Sequence, residues 1–157
     1  MYRMKFLPAV SWRMHRAAIL IISALFVTGC SKSNSNGETI FKTGKNASGT
    51  AIMNDIDRSA LSDAETIVSC ATCHGEDRLG RKNPLPALGP FSAPDITPAS
   101  LSQSTSRRPG YSVSSLRAAL TTGRNSAGKG LHYPMPRWRF TGPDLDDLVA
   151  FLLKENS

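Results

Sequence analysis

The segment that decides the fold is Cys70-Ala71-Thr72-Cys73-His74, which has the pattern C-x-x-C-H. Two thiols at this spacing can form thioethers with the two vinyl groups of one porphyrin, and the histidine that follows can be held beneath the iron. The pattern therefore predicts one covalently attached c-type haem, with His74 as its first axial ligand.

Two other kinds of site use paired cysteines, and the rest of the sequence favours neither. A redox-active dithiol is expected next to a βαβ unit, of which the sequence shows no sign. A tetrahedral zinc site needs about four ligands. The nearest further candidate ligand is His132, because the third cysteine, Cys30, is predicted to serve elsewhere.

The amino terminus has the layout of a secretory signal. Its positive region has four basic residues and no acid, and an apolar run from residue 17 to residue 27 follows. That run is shorter than the about 20 residues that a membrane-spanning helix needs. A signal peptide is therefore a better interpretation than a transmembrane anchor.

The signal ends in Val27-Thr28-Gly29-Cys30, which resembles the lipobox of bacterial lipoproteins. The resemblance implies that Cys30 is lipidated and becomes the mature amino terminus. An ordinary secretory signal with an incidental Cys30 is the alternative. A lone thiol is a liability in an oxidising compartment, whereas lipidation of Cys30 and haem attachment at Cys70 and Cys73 would leave no free thiol.

The chain therefore divides into three predicted parts. Residues 1–29 form a lipoprotein signal peptide, residues 30–37 a flexible polar tether and residues 38–157 the folded domain. The leader holds 4 of the 19 Lys and Arg and none of the 12 acids, so the mature chain has 15 basic and 12 acidic residues, a net charge of +3. This small excess gives no support for a nucleic-acid partner, which would require a clustered basic face.

The sequence predicts helices on both sides of a long region of loops. A short helix is expected over residues 62–68, leading into Cys70. Six prolines and four glycines between residues 75 and 110 make a continuous helix or strand implausible there. Wrapped around a buried porphyrin, such a loop is expected.

Two helices are expected after this region. The first is predicted to begin after Ser112 as N-cap and to end at Gly123. Thr141 with Asp144 resembles a capping box for the second, whose apolar stripe predicts a core-facing helix.

The residues alone leave several candidates for the second axial position. Met135 lies between two prolines, in a stiff loop that can present its thioether with little entropy left to lose. A c-type haem iron can bind Met or His at this position or leave it open. His132 and Met53 are the competing candidates, and simple packing is the other interpretation of Met135.

The chain as a whole resembles the class I c-type cytochromes over roughly residues 37–154. The resemblance rests on residues 70–75, on Met135-Pro136-Arg137-Trp138 and on the apolar pattern of the last helix. It implies an all-α, small cytochrome c fold, with three to five short helices around one covalently bound haem and long Pro/Gly-rich loops. It also implies His74 and Met135 as the two axial ligands.

The resemblance extends to the surroundings of the haem. In the family, a proline carbonyl usually accepts the other ring N–H of the proximal histidine. Leu88-Gly89-Pro90 resembles that segment, so Pro90 is the candidate acceptor, with Pro84 and Pro86 as competitors.

Three side chains beside Met135 are expected to contact the haem or its partner. Arg137 and Arg139 are candidates either for binding the haem propionates or for orienting a docking partner. Trp138 is expected to pack in the haem pocket.

His/Met ligation fills both axial positions, so electron transfer follows as the expected function. We expect a membrane-tethered electron carrier and not an enzyme, lipid-anchored at the periplasmic face of a bacterial membrane. Its expected partners are redox proteins, such as a dehydrogenase, a respiratory complex or a terminal reductase or oxidase. The alternatives are a haem-based peroxidase or gas sensor with an open sixth position, and a fixed cytochrome subunit of an oxidoreductase complex.

Overall fold

The computed structural model describes residues 35–59, 61 and 68–154, which all belong to one unit extending from Ser33 to Ser157. Within the described residues the elements are α1 Asn36–Thr43, β1 Met53–Asn54, α2 Cys70–His74, β2 Arg81–Lys82, β3 Ser92–Ala93, α3 Pro98–Ser102, α4 Val113–Thr122, β4 Trp138–Arg139 and α5 Asp144–Leu153. One 3₁₀ turn, Pro86–Leu88, lies between β2 and β3. The expected small helical fold with long connecting loops is confirmed.

Several predictions made for the amino-terminal part fall outside the described residues. These are the signal peptide 1–29, the lipidated Cys30 and nearly all of the helix expected over residues 62–68. The predicted tether, residues 30–37, is wrong at its end, because Asn36 and Gly37 belong to α1. The side chain of Ser35 accepts the backbone N–H of Glu38 at 3.2 Å and so starts the helix earlier than the polar composition indicated.

Among the described residues, no helix combines the length and the apolar character needed to cross a bilayer.

The first and last helices, α1 and α5, pack closely against each other. Gly37 on α1 meets the backbone of α5, where a Cβ added at Gly37 would lie 2.6 Å from the carbonyl carbon of Asp147 and 2.9 Å from Cβ of Phe151. One turn further along α1, the ring of Phe41 lies 5.4 Å from the ring of Phe151. Only a glycine at position 37 permits this approach of the two helices.

Helix α4 has the boundaries that the sequence predicts. The side chain of Ser112 accepts the N–H of Ser115 at 3.2 Å, and the side chain of Ser115 accepts the N–H of Ser112 at 2.9 Å. Gly123 ends the helix in the left-handed conformation, with φ of 64°. These signals are local in sequence, which is why the prediction succeeds.

Helix α5 has a different start from the one expected. Pro143 is the N-cap and provides no side-chain cap, and Thr141 contributes only its backbone carbonyl, 3.4 Å from the N–H of Asp144. The Asp144 carboxylate instead accepts hydrogen bonds from Asn36 at 3.0 Å and Asn46 at 3.1 Å. The predicted capping box is therefore wrong, because these two distant amides engage the carboxylate.

Two short antiparallel pairs of strands shape the loops around α2. Strand β1 pairs with β4, which places Asn54 opposite Trp138 and Met53 opposite Arg139. Strand β2 pairs with β3, which places Arg81 opposite Ala93. The first pair joins the chain after α1 to the segment directly after Met135.

The buried apolar side chains form two clusters, with α2 between them. The larger cluster is built mainly from α1, α4 and α5 and includes Cys70. The smaller one consists of Ile56, Val68 and Leu85, and Cys73 packs against it. The C-x-x-C-H motif therefore lies where the two halves of the core meet.

The contact between α1 and α5 leads to a prediction. Gly37→Ala should destabilise the protein by about 1–2 kcal/mol, because overpacking costs roughly 1–3 kcal/mol and the gain in helix propensity recovers at most about 1 kcal/mol. Denaturant unfolding of the haem-loaded protein measures this change. Gly130→Ala is the matched control, because a Cβ there meets nothing within 4 Å. Equal unfolding midpoints for the two variants would contradict the close helix crossing.

Candidate haem-binding site

The C-x-x-C-H motif forms a single capped turn of helix, α2. The side chain of Ser69 accepts the N–H of Thr72 at 3.2 Å, and the side chain of Thr72 accepts the N–H of Ser69 at 3.0 Å. Gly75 ends the turn with φ of 78°. The two cysteines and the histidine are therefore fixed relative to one another.

Both cysteines of the motif are kept in the protonated form by their surroundings. Burial raises the pKa of the Cys70 thiol to about 12 and that of the Cys73 thiol to about 11. Dithiol exchange proceeds through the thiolate, which a raised pKa disfavours. In addition, the described residues contain no group of three or more His, Cys, Asp or Glu side chains arranged to hold a metal ion. These observations disfavour the zinc and dithiol interpretations.

The ring of His74 is buried, and one of its nitrogens has a defined partner. Nδ1 lies 2.8 Å from the carbonyl oxygen of Pro94. Because a carbonyl can only accept, Nδ1 carries the proton and Nε2 presents its lone pair. Burial also lowers the pKa of His74, which favours the neutral ring. A neutral imidazole with a fixed tautomer and a free lone pair is suited to bind iron.

The acceptor for His74 is therefore Pro94, and the prediction of Pro90 is wrong. Pro90 is exposed at the far end of the loop, whereas Pro94 directly follows β3, which pairs with β2 close to the haem motif. Gly80 permits the approach, because a Cβ at Gly80 would lie only 2.7 Å from the carbonyl carbon of Pro94. The competitors Pro84 and Pro86 are not the acceptor either.

The candidates for the second axial ligand differ in their exposure. Met135 is half-buried and packs against the larger cluster of the core. His132 is exposed, with Nδ1 2.6 Å from the carbonyl oxygen of Tyr133. Met53 has 59% of its surface exposed. Of the three, Met135 alone is part of the apolar interior.

Arg137 has a different environment from the one expected. Its guanidinium donates to the carbonyl oxygens of Met135 and Leu131, the latter at 3.2 Å. It is thus engaged by the backbone of its own loop, and not by a surface ion pair. Arg139, opposite Met53 on the neighbouring strand, is exposed.

Two buried donors belong to residues that lie opposite each other in the β1–β4 pair. Nε1 of Trp138 and Nδ2 of Asn54 are the buried side-chain polar atoms that have no hydrogen-bond partner in the described part of the chain. Residues directly opposite on antiparallel strands project to the same face of the sheet. Unsatisfied buried donors cost free energy, and a carboxylate, which only accepts hydrogen bonds, would satisfy both.

The residues present therefore fit a covalent haem. The two thiols of α2 can attach the porphyrin, Nε2 of His74 can bind the iron, and the side-chain N–H groups of Trp138 and Asn54 can donate to a propionate. No sequence motif indicates Asn54 as a donor for the haem, because its position beside Trp138 depends on the strand register.

The comparison with known proteins agrees with this site. A family model described as Cytochrome c matches residues 36–155, which contain every helix and strand described above. No curated protein and no solved structure matches the chain. The chain therefore belongs to the cytochrome c family, as an electron-transfer protein with one covalently bound haem c.

Proposed function

We propose that this cytochrome is a His/Met-ligated electron carrier, tethered to a bacterial membrane at its periplasmic face. The observation that carries the proposal is the hydrogen bond from Nδ1 of His74 to Pro94, which leaves Nε2 as an iron ligand. When bound, haem c supplies a one-electron iron couple. The chain's own part is to hold the axial ligands and to keep small molecules away from the iron.

Met135 is the proposed ligand on the other side. Its thioether is soft and neutral, and such a ligand favours Fe(II) over Fe(III) and raises the reduction potential. The burial of Met135 supports this choice over His132 and Met53, which are exposed. With both axial positions filled, the protein transfers electrons without binding a substrate at the iron.

Trp138 and Asn54 are proposed to hold a haem propionate. Each has a buried N–H group for which the described residues supply no acceptor. Hydrogen bonds to a charged acceptor are stronger than those between neutral groups. The pair would therefore fix one edge of the haem and offset the cost of burying its carboxylate.

The charge distribution indicates how a redox partner could dock. Residues 96–143 contain seven Lys and Arg and no Asp or Glu. Within this segment the loops 104–110 and 124–130 touch, because the hydroxyl of Ser126 donates to the carbonyl of Pro109 at 2.5 Å. Exposed Arg107, Arg124 and Lys129 on these two loops form what we call the basic surface.

The basic surface fits a partner with an acidic docking face. Complementary charge of this kind mainly raises the rate of association. Arg117, in the same acid-free segment, is paired with Asp146 and is therefore not counted in this surface. We propose that the acidic partner is the dehydrogenase, respiratory complex, or terminal reductase or oxidase with which the carrier exchanges electrons.

The tether is proposed to begin at a lipidated Cys30. Since α1 starts at Asn36, only residues 30–35 remain as linker. Fully extended, this linker would span about 20 Å. The carrier would therefore stay close to the membrane surface, where respiratory partners are found.

The ligand assignment is tested by Met135→Ala. The variant should keep its covalent haem, lose the weak sulfur-to-iron band in the red and have a potential lower by on the order of 0.1 V, within the roughly 0.8 V range that axial ligands control. Reduced-minus-oxidised spectra and a redox titration measure this. Met53→Ala, at the exposed methionine, is the control and should match the wild type. An unchanged spectrum in Met135→Ala would overturn the assignment, and a wild-type ferric spectrum of high spin would support an open sixth position.

Membrane attachment is tested by Cys30→Ser. We expect most of the haem-stained protein to move from the membrane fraction to the soluble fraction, because lipidation requires the thiol. Ser33→Ala, three residues further on, serves as the control and should remain with the membranes. Retention of Cys30→Ser would indicate an uncleaved leader or a membrane-bound partner.

The basic surface is tested with an anionic electron acceptor, hexacyanoferrate(III). Its rate of reduction by the ferrous protein should fall as ionic strength rises, and at low salt Arg124→Gln/Lys129→Gln should slow it by about threefold to tenfold. Stopped-flow absorbance measures the rate. Lys45→Gln/Lys154→Gln removes the same charge from the residues that follow α1 and α5, and should have a smaller effect. Equal rates for both double variants would reject this docking surface.

A further inference from the structure

We propose that Arg137 is the positioning residue for Met135, because its guanidinium hydrogen-bonds to both ends of the loop from Leu131 to Met135. We call these two hydrogen bonds the brace. This inference rests on the proposed His/Met ligation. It also replaces the expectation that Arg137 binds a propionate or orients a docking partner.

The brace is a bridge between the two ends of the loop. Nη2 of Arg137 donates to the carbonyl oxygen of Leu131 at 3.2 Å, and Nη1 donates to the carbonyl oxygen of Met135. A guanidinium is planar and has several donors in a fixed fork, so it can span two carbonyls at once. A lysine ammonium has the same charge but lacks this fork.

The arginine is itself held in place from two sides. Its backbone N–H donates to the carboxylate of Asp55 at 2.6 Å, and its carbonyl accepts the N–H of Asp55 at 3.2 Å. Its guanidinium fills the space next to Gly123, where a Cβ would overlap Nε and Cζ. The absence of a side chain at Gly123 therefore makes room for the brace.

The same residues tie the loop to helix α4. The N–H of Leu131 donates to the carbonyl of Gly123 at 2.6 Å, so the start of the loop is fixed at the end of that helix. Arg137 then connects this fixed point to Met135. If the guanidinium of Arg137 is lost, the carbonyl of Met135 loses the hydrogen bond that links it to Leu131. The thioether should then leave the iron more readily.

Two variants remove the brace by different routes. Arg137→Lys keeps the charge and removes the fork, and Gly123→Ala displaces the guanidinium without changing Arg137. Arg139→Lys is the control for Arg137→Lys. Gly128→Ala controls for the backbone strain of the second, because Gly128 also has a positive φ, 76°, and a Cβ there meets nothing within 4 Å.

The first measurement is the affinity of the ferric protein for added imidazole, which competes for the sixth position. Both brace variants should bind imidazole about tenfold to a hundredfold more tightly than the wild type, as expected if charge-assisted hydrogen bonds worth about a factor of ten or more are lost. The two controls should stay within about twofold. Denaturant midpoints recorded in parallel show whether the effect is local, since a purely structural role would lower the midpoint without this change in affinity. Unchanged imidazole affinity in folded, haem-loaded Arg137→Lys would overturn the proposal.

A second measurement does not depend on the ligand. The N–H of Met135 donates to the carbonyl of His132 at 3.1 Å, and its hydrogen exchange should be faster in both brace variants. If the wild type lacks the sulfur-to-iron band, the proposed ligation fails while this exchange measurement still reports on the brace. Exchange at the wild-type rate in both variants would show that Arg137 does not hold the loop.

Discussion

The hydrogen bond from Nδ1 of His74 to the Pro94 carbonyl is the contact on which the site depends. It places the proton on one ring nitrogen and leaves the other for iron. To supply that carbonyl, strands β2 and β3 must pair and the backbone must pass close to Gly80. The irregular region from residue 75 to residue 94 therefore orients His74, the proposed proximal ligand.

The two cysteines and the imidazole of the motif favour their neutral forms. In the folded chain, burial raises the pKa of both thiols and lowers the pKa of His74. The thioether of Met135, the proposed second ligand, is neutral as well, and the positive charge of Arg137 faces backbone carbonyls. Neutral axial ligands disfavour the additional charge of Fe(III). By contrast, the side-chain N–H groups of Trp138 and Asn54 would stabilise the negative charge of a carboxylate at one edge of the haem.

The parts of the fold that follow from nearby residues could be read from the sequence. Both ends of α4 are of this kind, since each cap lies within a few positions of the helix that it ends. The parts that depend on distant contacts could not. Pro94 replaces Pro90 because of a pairing between strands of two residues each, too short to leave a pattern. The proposed contact of Asn54 with a propionate depends on its strand register with Trp138. The carboxylate of Asp144 does not cap its helix, because it accepts hydrogen bonds from amides about a hundred residues away.

The contact between α1 and α5 also constrains the order in which the protein can be completed. The side chains of Asn36 and Asp147 meet although they are 111 residues apart, so a chain made from its amino terminus cannot bury Ile40 and Phe41 until its last helix exists. Closing a loop of this length costs conformational entropy, which the contacts of both helices must offset. The larger apolar cluster, to which Cys70 belongs, is complete only when the two ends of the domain have met.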